Sequence, residues 1–107
     1  MGLFGFGKRR PEDSNVFLKE HAVKVNGLLV YADNNEKVKN ELIQLKDDFQ
    51  YTMPSPNRAA KGIEKKIIAD FKKLTTMLQQ PEWAEEEVLL LVKGLRRYIV
   101  EISSLMS

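Results

Sequence analysis

The stretch PEWAEEEVLLLVKGLRRYIVEISSLMS, residues 81–107, decides the fold class. Its residues Ala84, Val88, Leu91, Leu95, Tyr98, Ile102 and Leu105 recur at alternating intervals of four and three, which returns them to one side of a helix. A second row, Val88, Val92, Leu95, Ile99, Ile102 and Met106, runs beside the first and widens it into a broad apolar face. No other segment is apolar for so long. A face of this breadth needs other helices to cover it.

Working outward from it, three more segments carry the same period. Ala60, Ile63, Ile67, Phe71, Leu74 and Leu78 share one face of a helix that Gln80-Pro81 ends. Before it, Met53-Pro54-Ser55-Pro56 is the clearest break in the chain, and Ser55 followed by Pro56 predicts an N-cap with proline at the first helical position. Val38, Leu42, Leu45 and Phe49 mark the preceding helix. Asp33 is its expected N-cap, with Glu36 reaching back as in a capping box. Leu18, Ala22, Val25, Leu29 and Ala32 mark the first helix, entered through Pro11 to Ser14 with Glu12 and Asp13 near its positive end. Pro81 likewise opens the last helix, with Glu82 and Glu85 to Glu87 in its first turns.

The fold expectation is therefore all-α: an antiparallel up-down-up-down four-helix bundle with helices at about 13–32, 34–51, 56–79 and 82–106. Residues 12–107 form its single domain, and residues 1–11 are an apolar and basic segment, flexible or folded back. The competing architecture is an open pair of helical hairpins completed by a second chain.

Bulk composition narrows the function classes. Hydrophobic residues at 43% and charged residues at 30% suit a globular chain, and 107 residues suffice for one core. A net charge of +2 does not by itself imply nucleic acid or an acidic partner. With no cysteine there is no disulfide framework, thiolate metal site or thiol chemistry. The longest apolar run, Val88 to Val92, falls far short of the roughly 20 residues of a membrane span. Leu3, Phe4 and Phe6 precede Lys8, Arg9 and Arg10, the reverse order of a secretory signal, so a cytoplasmic location is expected.

Catalytic and metal chemistry find no matching constellation. A di-iron bundle needs Glu-x-x-His on two helices, whereas the single histidine, His21, has Leu18 three residues before it and sits beside the core stripe. Ser14, Ser55, Ser103 and Ser104 lie at helix ends. Asp47 and Asp48 diverge by about 100° on a helix, and Gly2, Gly5 and Gly7 lack the strand and helix that a phosphate loop requires. No catalytic, cofactor-binding or metal-binding residue is assigned, and no enzyme is expected.

Apolar residues beyond the core stripes are left over. Val16, Val23, Gly27 and Val30 lie on the far side of the first helix, and Trp83, Leu90 and Gly94 lie off the main face of the last. Glycine inside a helix costs about 1 kcal/mol against alanine, which a close backbone approach would justify. These residues form a candidate interface for a protein partner or a second copy, with a homodimer through the Val16, Val23 and Val30 line. The alternative is a peripheral membrane protein whose Leu3, Phe4, Phe6, Lys8, Arg9 and Arg10 touch an anionic surface. A weaker one is nucleic-acid binding through the third helix, whose polar face holds Arg58, Lys61, Lys65, Lys66, Lys72 and Lys73 against Glu64 and Asp70.

Overall fold

Val88, Val92, Leu95, Ile99 and Ile102 are all buried on the last helix, so the second of its two apolar rows is the core line. Leu91 and Tyr98, from the first row, sit half-buried at its edge, and Ala84 is exposed. The computed structural model describes residues 11–55 and 57–105. They form four helices: α1 Pro11–Leu28, α2 Glu36–Tyr51, α3 Ala59–Leu78 and α4 Glu85–Ser104. Leu29–Ala32 continues α1 as a tighter 3-10 turn, so the first apolar stripe ends where its period predicts. Among the described residues there is no strand, and the fold is the expected all-helical four-helix bundle.

The three connections differ in detail from the sequence reading. Asn35, not Asp33, caps α2: its extended backbone lets its Oδ1 accept from the Val38 amide at 3.0 Å. Asp33 remains helical and pairs with Lys39 at 3.6 Å. Nor is Ser55 the cap of α3. Its hydroxyl accepts from the Asn57 amide at 3.1 Å and donates to the Leu105 carbonyl at 3.4 Å, fixing the linker to the end of α4. The helix then begins three residues later than expected, with Asn57 Oδ1 accepting from the Ala59 amide at 2.8 Å. Pro81 also stands outside α4, because the chain uses Gln80 to Ala84 to cross between helices and buries part of Trp83 against the core. The acidic first turn of Glu85, Glu86 and Glu87 is as expected.

Helix directions alternate, but spatial neighbours do not follow chain order. α1 packs on α2, α3 on α4, and α2 on α4. Asn35 and Lys37 meet Glu85 at one end of the α2–α4 seam, and Ser55 meets Leu105 at the other, so these two helices run parallel. Between them Arg96 Nε donates to Asp48 Oδ2 at 2.6 Å, Nη1 donates to Gln44 Oε1 at 2.7 Å, and Nη1 lies 3.7 Å from Glu41 Oε1. One guanidinium thus spans two turns of α2. All four helices contribute to one core, with Leu18 and Val25, Leu42 and Phe49, Ile67 and Leu74, and Leu95 and Ile102 among its members.

Candidate docking surface

An open groove lies on the outer side of α3 and α4, near their connecting turn. It follows from the row structure of α4. Because the core line runs through Val88, Val92 and Leu95, Leu91 is left at the α3 edge and Leu90 is carried outward, where it is 70% exposed. Ala69, Thr76 and Met77 of α3 complete an open floor of about 890 Å³, walled by Lys72, Lys73 and Gln80 on one side and Glu87 on the other. Gly94 follows Leu90 and Leu91 by one helical turn. A Cβ added at Gly94 would meet nothing within 4 Å, and the same holds at Gly27. Neither glycine is therefore explained by a close approach among the described residues.

α3 presents mainly positive charge to solvent. Lys61, Lys65, Lys66, Lys72 and Lys73 are exposed, whereas Glu64 is buried and Asp70 half-buried. Lys66 Nζ lies 6.0 Å from the Tyr98 ring centroid, at the outer limit of a cation–π contact. Four acidic groups elsewhere on the bundle have cationic neighbours: Glu41 and Asp48 face Arg96, Glu85 faces Lys37, and Asp33 faces Lys39.

The candidate interface residues fall into three separate places. Val16, Val23 and Val30 are exposed by 54, 72 and 71% along the outer face of α1 and its 3-10 extension, with Gly27 also exposed among them. Val23 borders a shallow depression with Lys19, Asn26, Lys46 and Gln50, on the α1–α2 side. Trp83 is half-buried at the end of the bundle beside Tyr31, Asn34 and Asn35. Leu90 and Gly94 belong to the α3–α4 side. Trp83 thus borders Tyr31 near the Val30 end of the valine line, whereas Leu90 lines the α3–α4 groove. Leu3, Phe4, Phe6, Lys8, Arg9 and Arg10, the candidate membrane contacts, lie outside the described residues.

Two features escaped the sequence reading. Met77, Lys72 and Lys73 line the groove beside Leu90, and only the pairing of α3 with α4 brings them there. A second groove of about 630 Å³ separates α1 from α3, with His21 buried at its base against Phe71. The period of α1 marks His21 as a neighbour of Leu18 and Ala22, but full burial depends on the opposing phenylalanines. His21 Nδ1 donates to the Phe17 carbonyl at 2.9 Å. Among the described residues no group of histidine, cysteine or carboxylate side chains is placed to hold a metal ion, and no helix is long and apolar enough to cross a membrane.

Fold and surface together define the class: an all-helical four-helix bundle with an open apolar groove and a basic outer helix. Comparison with protein-family models, curated proteins and solved structures finds no match.

Proposed function

We propose that the chain is a non-enzymatic interaction module, a helical bundle whose outer faces dock a protein partner or a second copy. The carrying observation is Leu90, a leucine 70% exposed beside Leu91 and Met77 in an open groove, although the bundle core is already closed without it. Apolar side chains grouped in one exposed patch are a mark of protein contacts. The exposed Val16, Val23 and Val30 line gives the same reading on α1, where a second copy across a two-fold axis would cover it. A cytoplasmic setting belongs to this proposal.

Photo-crosslinking in the native cell tests it, with the reactive side chain placed at position 90, at position 23, or at exposed position 36 as a control. Discrete adducts are expected from 90 or 23 and not from 36. An adduct of twice the chain mass from position 23 identifies self-association. In that case purified Val23→Asp should remain helical by circular dichroism and run as a monomer in light scattering. Equal, diffuse labelling from all three positions would sink the docking reading.

A further inference from the structure

We infer that the α3–α4 groove receives an amphipathic helix of a protein partner, with acidic residues along the flank that faces α3. The inference rests on the docking reading above and adds the partner's chemistry. Ala69 to Gln80 spans eleven residue steps, about 16 Å along α3, or three turns of a helix lying beside it. Met77, Leu90 and Leu91 provide an aliphatic floor of the kind that takes anchors at i, i+3 or i+4, and i+7.

Charge selects the partner's flank. The α3 wall is formed by Lys72 and Lys73, and the exposed lysines continue along that helix through Lys66, Lys65 and Lys61. Lys72 and Lys73 form no ion pair among the described residues, while Arg96, Lys37 and Lys39 already face carboxylates. Partner carboxylates are what this wall lacks. The opposite wall carries Glu87, so the attraction is one-sided. A planar anionic bilayer or a phosphate backbone would meet Glu87 as well as the lysines. A helix can place its acids on one side only. The floor also lacks the aromatic rings on which bases stack.

Fluorescence polarisation with the full chain and two labelled 16-residue peptides provides the test. Both peptides carry the same leucine stripe; one has glutamate along a flank, the other lysine at those positions. The glutamate peptide should bind at least tenfold tighter than the lysine peptide, and more weakly as salt is raised. Leu90→Asp should weaken it at least tenfold, and Lys72→Glu with Lys73→Glu should reverse the preference between the peptides. Both altered sites are exposed, and circular dichroism checks that each variant stays folded. Equal affinity for the two peptides, or a preference that survives the double charge reversal, would overturn the inference. So would a chain that ignores both peptides but binds phosphatidylserine vesicles or a DNA duplex through these lysines. A discrete adduct from position 90 in cells together with equal peptide affinities would leave docking standing and remove only the acidic partner.

Discussion

Phe17, Phe49 and Phe71 surround the His21 ring at centroid distances of 4.3, 5.3 and 5.2 Å. Burial among them disfavours the imidazolium and pushes its pKa below 6.5. The Phe17 carbonyl opposes this, Lys24 adds to it, and Glu20 and Glu64 oppose it more weakly. The folded chain therefore binds fewer protons than the unfolded chain over the interval just below pH 6.5. Stability is fully present above that pH and falls as the pH drops toward the lowered folded value, with a limiting slope of about 1.4 kcal/mol per pH unit for one proton. His21→Phe keeps a ring in the cluster and should remove this part of the acid-side loss. Urea unfolding at closely spaced pH values between 5 and 7 reads it, and identical slopes in the two proteins would refute the assignment. The position of His21 beside the core stripe was legible in the sequence. Its burial was not, because two of the three rings come from other helices.

At the level of the element, α4 shows how an apolar face overspecifies a core. Two rows satisfy the helical period equally well, and both contain Val88, Leu95 and Ile102. Only the positions of α2 and α3 decide that Val92 and Ile99 go inside while Leu91 and Tyr98 stop at the edge. Leu95 has no exposed surface, so Leu95→Ala leaves a cavity and should cost about 2–5 kcal/mol. Leu90→Ala removes a side chain that is mostly in water and should change the stability of the isolated chain by less than about 0.5 kcal/mol. Chemical denaturation of the two variants compares them directly. Similar costs would mean that the core line of α4 is misplaced.

Across the whole molecule, short connections dictate that successive helices alternate in direction, but they do not say which helices touch. The α2–α4 seam is selected by what both edges carry: Glu41, Gln44 and Asp48 on α2, and Arg96 on α4, with Asn35 closing the end against Glu85 at 2.8 Å. Side-chain burial at Arg96 and Asp48 is partial, at 33 and 30% exposed, so each contact is worth less than a buried pair. Arg96→Met, which keeps the apolar stem, should cost about 1–2 kcal/mol. Arg96→Lys should recover little of it, because a point ammonium cannot span two turns as the planar fork does. Full recovery by lysine, measured by urea unfolding, would reduce the clamp to simple charge attraction. Helix number, approximate extent and the buried residues of α2 were determined by the sequence itself, since the apolar period of a helix is local. The same period placed Ala60, Ile67, Phe71, Leu74 and Leu78 of α3 inside, but the fold buries Glu64, expected on the polar face, and leaves Ile63 half-buried. The cap at Asn35, the turn at Ser55, the parallel α2–α4 seam and the groove joining Lys72 and Met77 to Leu90 were decided only by the tertiary structure. Each depends on residues some 15 to 50 positions apart, or on several groups competing to cap one helix end, and no periodicity within a single segment encodes such choices.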